Sequence, residues 1–157
     1  MSEHHGGYMR LALEQAQKAG AAGNRAVGAI IVRNGVVVGK GGNRRESAPD
    51  AVGHAEVMAL RDAVQNLGGL DFSGCTLYST LEPCPMCAGA IIVNSIPRVV
   101  IGKMHGANDR RWGDYSVEKV LDMVGAGTHV EAGVLEGECE ALLRHWDVVN
   151  GRVPVAS

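Results

Sequence analysis

Residues 75–102 read CTLYSTLEPCPMCAGAIIVNSIPRVVIG, and their pattern sets the architecture of the chain around them. Cys75–Thr80 is a short run rich in strand formers, Cys84–Asn94 reads as a helix, and after the punctuating Pro97 the run Arg98–Gly102 reads as a second, buried strand. A strand–helix–strand unit of this length calls for a right-handed crossover and a parallel strand pair, which places the chain in the α/β class. Pro83 and Pro85 fall where a loop passes into the first helical turn, where a missing N–H costs little.

Upstream, Val27–Val32 and Val36–Gly41 are two more β-rich runs, and the Asn34-Gly35 between them is a strong hairpin signal. A helix is expected from Tyr8 to Ala22, with His4 and His5 before it in a frayed terminus. Asn43–Gly53 is polar and reads as a loop; the helix after it, from His54 to Leu67, is stopped by Gly68-Gly69. Downstream come a polar loop, Lys103–Tyr115, that holds Trp112, a short helix Ser116–Val124, a strand Thr128–Ala132 and a last helix Leu135–Val148. No repeat or linker interrupts the series, so residues 1–157 are expected to form one domain with its core at about 8–148.

The composition limits what such a domain does. Its 157 residues are 46% hydrophobic and carry a formal net charge of -2, with no block of five like charges, which argues against a dedicated polyanion binder. No apolar run reaches the ~20 residues that span a bilayer. The polar N-terminus lacks the apolar core of a signal peptide, so a cytoplasmic protein without membrane contact is expected. Of the four cysteines, Cys75 and Cys139 lie in apolar surroundings and read as buried thiols, whereas the two-residue gap between Cys84 and Cys87 is a metal or redox spacing.

The chemistry concentrates at two predicted helix starts, GHAE (residues 53–56) and LEPCPMC (residues 81–87). Two thiolates and one imidazole, from Cys84, Cys87 and His54, make a zinc set with a fourth tetrahedral corner left for water, as in catalytic rather than structural sites. Helix N-termini favour thiolates there. Glu56, two residues after the histidine, is placed to carry protons without binding the metal. His-x-Glu followed by Pro-Cys-x-x-Cys is the general signature of zinc deaminases. His105, His129 and His145 stand alone and read as ordinary surface or core residues.

With these motifs the chain resembles the cytidine-deaminase-like superfamily, through GHAEVMAL (residues 53–60) and TLEPCPMCAGA (residues 80–90), within a broader likeness from about Tyr8 to Arg144. The resemblance implies a three-layer α/β/α fold with a five-stranded mixed sheet, a tightly bound Zn²⁺ and a homodimer. It implies His54, Cys84 and Cys87 as ligands, Glu56 as proton shuttle, and Asn43 as the amide that hydrogen-bonds the base beside Ala55. Asp114 resembles an acidic residue that meets ring N–H groups in guanine deaminases, and Trp112 beside it could stack on a base.

The branch is then read from departures. The tRNA adenosine deaminases are similar in both motifs, but they end in a basic helix, whereas RHWDVVNGRVPVAS (residues 144–157) is nearly uncharged. They also favour Asp-Pro-Thr-Ala before the histidine, where this chain has Pro49-Asp-Ala-Val-Gly. The expectation is therefore a hydrolytic deaminase of a small-molecule nucleobase or nucleoside, of the guanine or cytosine class, with nucleic acid as the less favoured partner. A tRNA adenosine-to-inosine deaminase is the alternative, and an inactive zinc-binding scaffold subunit, argued against by the intact Glu56, is another.

Overall fold

The computed structural model describes residues 2–106 and 111–152. Ten elements follow in order: α1 (Ser2–Ala21), β1 (Gly28–Arg33), β2 (Val36–Gly42), α2 (Ala55–Leu67), β3 (Cys75–Leu81), α3 (Pro85–Val93), β4 (Arg98–Lys103), α4 (Val117–Met123), β5 (His129–Ala132) and α5 (Glu136–Val149). The strands form one mixed sheet in the order β2-β1-β3-β4-β5. β1 runs antiparallel to both β2 and β3, while β3, β4 and β5 are parallel. The β1–β2 turn has Asn34 at φ 51° and Gly35 at φ 75°, the pair of left-handed residues that a tight hairpin needs.

Alternation along the strands divides the core into two layers. Ala29, Ile31, Leu77, Val99 and Ile101 point to one face and pack with Ala59 and Leu60 of α2, Ile91 of α3 and Leu121 of α4. Ile30, Val32, Tyr78 and Val100 point to the other and meet Met9 and Leu13 of α1 and Cys139 of α5. The three-layer α/β/α arrangement expected from the sequence is the one observed, and Cys75 and Cys139 are buried free thiols. Among the described residues no helix is long and apolar enough to cross a membrane.

One packing detail positions the chemistry. α2 turns its alanine face, Ala55, Ala59 and Ala63, onto β2, which offers glycine at the points of closest approach. A Cβ on Gly41 would lie 2.4 Å from the Ala59 nitrogen and 2.6 Å from the Ala55 oxygen, and one on Gly39 would lie 2.4 Å from the Ala59 oxygen. Only glycine fits there without moving the helix whose first residues carry the GHAE motif. At its far end the same helix stops at Gly68, in the left-handed conformation at φ 72°, whose N–H bonds the Val64 carbonyl.

The main departure from the sequence reading is α1, which begins at Ser2 rather than Tyr8. Its first turns are anchored from outside. His5 is buried, with Nδ1 2.8 Å from the Tyr78 hydroxyl and Nε2 3.5 Å from the Glu131 carboxylate. Burial pushes the His5 pKa down, with Glu131 opposing, and pushes the Tyr78 hydroxyl up to about 12. This tertiary anchor overrides the poor helix propensity of Gly6 and Gly7. The other boundaries lie within one or two residues of expectation.

Candidate metal centre

Three side chains converge where α2 and α3 begin. His54 is the N-cap of α2, in an extended conformation at φ -79°, ψ 155°. Cys84 is the N-cap of α3 at φ -72°, ψ 174°, with Pro85 at the first helical position. Cys87 sits in the first turn of α3, so both sulfurs lie at the end of the helix that favours negative charge. The ligand atoms of His54, Cys84 and Cys87 all lie within 4.8 Å of one another.

The spacing fits a metal. His54 Nδ1 is 3.4 Å from Cys84 Sγ and 3.7 Å from Cys87 Sγ. A tetrahedral zinc with Zn–S near 2.3 Å and Zn–N near 2.0 Å puts its nitrogen and sulfur ligands about 3.5 Å apart. Before a cation binds, the three groups share protons unequally. Cys87 donates to Cys84, and with His54 alongside, the Cys84 thiol is held down to about 4, while that donation and burial push Cys87 up. Cys84 in turn raises the His54 pKa. Metal binding requires both sulfurs as thiolates, so it is coupled to loss of their protons.

Glu56 lies beside this set, 3% exposed, and burial raises its pKa. Its nearest hydroxyl is that of Ser79, 3.3 Å away, but the single Ser79 proton has a shorter bond, 2.8 Å, to the Leu81 carbonyl. The carboxylate also accepts hydrogen bonds from its own backbone N–H and from Cys87, and it lines the cavity, as a group that must both take and give a proton requires.

The cavity above the metal set has a volume of about 150 Å³. His54, Glu56 and Cys84 form its floor, Asn43, Glu82, His105 and Trp112 its sides, and Arg25, Arg45, Arg111 and Arg152 line it as well. Asn43 is fixed by its oxygen, which accepts the Ala55 N–H at 2.8 Å, so the amide NH₂ is what it can offer a ligand. Ala55 itself is fully buried and acts through that N–H rather than as a lining residue. Trp112 packs edge-on against His105 and Tyr115, with ring centroids 5.9 and 6.1 Å away. Asp114 is not among the lining residues: its carboxylate is exposed and lies 2.7 Å from Lys119 Nζ of α4.

Sequence reasoning passed over several of these residues. Glu82 is a buried carboxylate that accepts the backbone N–H groups of His105 at 3.0 Å and Val117 at 2.9 Å and lies 3.2 Å from His105 Nδ1. Burial alone would raise its pKa, but these donors together outweigh burial and hold it below the usual carboxylate value. It ties the 103–116 loop to the β3–α3 junction, and the Tyr115 hydroxyl adds a hydrogen bond to the Pro83 carbonyl. His105 had read as an ordinary histidine; the structure makes it a wall of the cavity. Its only sequence signal was membership of the loop that holds Trp112.

The chain matches the family described as the cytidine and deoxycytidylate deaminase zinc-binding region over residues 2–103. A tRNA-specific adenosine deaminase of Bacillus subtilis is 37% identical over 87% of this chain and 84% of its own length. One from Haemophilus influenzae is 39% identical over 86% of this chain and 78% of its own. A solved structure from a study of A-to-I editing by tRNA:A34 deaminases at the wobble position superposes with a TM-score of 0.76, at 33% identity over 87% of this chain and 98% of that one.

These relatives correct one expectation. A free nucleobase or nucleoside substrate of the guanine or cytosine class is overturned by likenesses that run through most of the chain to enzymes of tRNA adenosine. The case against RNA rests on the residues before His54 and on charge counted along the tail, and the charge count misses how the arginines gather in space. Arg25, Arg45, Arg111 and Arg152 come from four separate segments and line one cavity.

Proposed function

The chain belongs to the cytidine and deoxycytidylate deaminase zinc-binding family, which makes it a zinc-binding hydrolase of carbon–nitrogen bonds, and on that footing we propose that it deaminates adenosine to inosine in tRNA. The observation that carries the proposal is the identity of 37% and 39% to tRNA-specific adenosine deaminases over 86–87% of the chain. The arginine-lined cavity is what a polyanionic substrate requires.

His54, Cys84 and Cys87 are the residues proposed to hold the zinc. When bound, the zinc supplies a Lewis acid that makes water acidic enough to attack near neutral pH. The remaining work falls to the chain. Glu56 takes a proton from the attacking water and delivers it to the ring nitrogen beside the amino-bearing carbon. It then carries the second proton to the amino group, which leaves as ammonia as the carbon–nitrogen bond breaks, so adenosine and water become inosine and ammonia. The Asn43 NH₂ donates to the base, and Trp112 offers a ring for stacking. The base reaches Glu56 only when unstacked, so the target adenosine belongs in a single-stranded loop.

The test is direct. The zinc-loaded protein is incubated with an RNA hairpin bearing one loop adenosine and, separately, with adenine, guanine, cytosine and their nucleosides. Inosine in the hairpin, read by mass spectrometry, is the expected outcome. Rapid ammonia release from a free base with an unchanged hairpin would sink the proposal. A homodimer is part of the same proposal, since Val93 at the end of α3 and Met123 at the end of α4 are each 77% exposed; sedimentation equilibrium checks it.

A further inference from the structure

Arg25 and Arg152 are held at the cavity by the same buried acid. Asp147, on α5, is 3% exposed and receives a two-point contact from Arg25, whose Nε and Nη2 lie 3.1 and 2.7 Å from its two oxygens. Arg152 lies just beyond α5; its N–H bonds the Asp147 carbonyl oxygen at 2.7 Å and its Nε is 3.6 Å from the Asp147 carboxylate. One carboxylate therefore holds two guanidinium groups at a cavity that Arg45 and Arg111 also line. Arg111 has its guanidinium carbon 5.1 Å from the centre of the Trp112 ring.

The acids among the lining residues do not balance this charge. Four arginines face three lining carboxylates; Glu82 is turned to His105 and Val117 and Glu56 is buried beside the metal set, which leaves Glu46 as the exposed carboxylate among the described lining residues. Crowding has a cost that is visible at Arg152, whose pKa is lowered first by burial and then by Arg25. A second anion placed between the guanidinium groups would relieve it. The Arg25 fork is fixed in direction by Asp147, and among the described residues its Nη1 group makes no hydrogen bond, which leaves it to serve that anion; planar guanidinium forks match phosphate oxygens.

We infer that Arg25 and Arg152, aimed by Asp147, bind the phosphodiester adjoining the target nucleoside and place its base over Glu56. The inference rests on the RNA reading above, and it assigns Asp147 a positioning role. The site is specific to phosphate rather than to base: it reads the strand's backbone at the cavity while Asn43 and Trp112 meet the ring.

The experiment measures binding of the RNA hairpin by fluorescence anisotropy across a salt series, for the zinc-loaded wild type, Arg25→Gln, Arg152→Gln and Asp147→Asn. Charged hydrogen bonds of this kind are worth about tenfold or more each. Each arginine variant is expected to bind the hairpin about tenfold more weakly and to flatten the dependence of log affinity on log salt by about 0.7. Zinc content should be unchanged. The Arg152 side chain is more exposed than that of Arg25, 42% against 26%, so Arg152→Gln carries the test if Arg25→Gln fails to fold. A hairpin bound with wild-type affinity and salt slope by a folded Arg152→Gln overturns the inference while leaving the RNA reading intact. A wild type that does not deaminate the hairpin overturns the RNA reading. The phosphate site is then judged on adenosine against adenosine 3′- and 5′-monophosphates: tighter binding of either nucleotide that disappears in Arg152→Gln upholds it, and equal binding of all three overturns it.

Discussion

The floor of the cavity and its arginines are built in opposite ways. The floor comes from two short motifs, GHAE and PCPMC, each folded at the start of a helix, and its reactive side chains are buried or half-buried and set by backbone geometry. The arginines come from four segments between residues 25 and 152, and Arg25 and Arg152 meet because α5 returns Asp147 to the segment just before β1. Chemistry that must be accurate to fractions of an ångström sits where the backbone leaves little freedom. Recognition of a strand needs only charge within reach, and longer, more exposed side chains supply it.

This contrast predicts how damage is distributed. The largest loss should follow Cys87→Ser or removal of zinc by a chelator: deamination falls to background and the folded state loses whatever stability the bound metal adds. Zinc content by elemental analysis and the thermal midpoint with and without chelator are the measurements. A Cys87→Ser protein that keeps both zinc and turnover would show that the floor is not built on those three ligands.

Next comes Glu56→Gln. The amide keeps the size of the side chain but carries no proton to the leaving group, so kcat should fall by about 10²- to 10⁴-fold while zinc content stays constant. Substrate affinity should change little, which separates the proton carrier from the residues that grip the strand. An equal loss in affinity and turnover would blur the division between floor and arginines.

Glu82 lies between the two regions, and Glu82→Gln sharpens their boundary. The substitution weakens the charge-assisted bonds to His105 and Val117, about 1.5–3 kcal/mol for hydrogen bonds of this kind, and loosens the loop that presents Trp112. KM for the hairpin should rise more than kcat falls. The effect has a sign in pH as well. A carboxylate whose pKa is lower in the folded than in the unfolded chain stabilises the fold above its unfolded value and loses that contribution as pH falls through the folded value. The reference carboxylate value is 4.5, and the folded Glu82 lies below it. Urea titrations should show the wild type losing stability below about pH 4.5 more steeply than Glu82→Gln.

The sequence made the sheet and the floor readable because both are local. Period-two apolar runs, the Asn34-Gly35 turn and the Gly68-Gly69 stop each announce their own geometry, and the metal motifs announce theirs. What it hid was convergence. His5 reads as a frayed residue until Tyr78 and Glu131 are seen beside it, and His105 reads as isolated until Glu82 is. Arg25 and Arg152 are separated by nearly the whole chain, so no count of charge along the tail could pair them through Asp147. A sequence without a run of like charges lacks a contiguous basic stripe but can still gather four cations at one opening.

Asp114 supplies the smallest expected effect and the sharpest check on that lesson. On sequence it was grouped with Trp112 as a base-reading residue. In the fold the two diverge: Trp112 lines the cavity, and the Asp114 carboxylate lies 2.7 Å from Lys119 on an exposed surface. An exposed ion pair of this kind contributes about 0–1 kcal/mol, and its loss leaves the floor and the arginines as they were. Asp114→Ala should therefore keep kcat/KM for the hairpin within about threefold of wild type, whereas Trp112→Ala, which removes a stacking surface worth about 1–3 kcal/mol, should lower it by about tenfold. If the order of the two were reversed, the loop would have to turn its acid inward when substrate arrives, and the division between a preset floor and a surface-charged opening would fail at this loop.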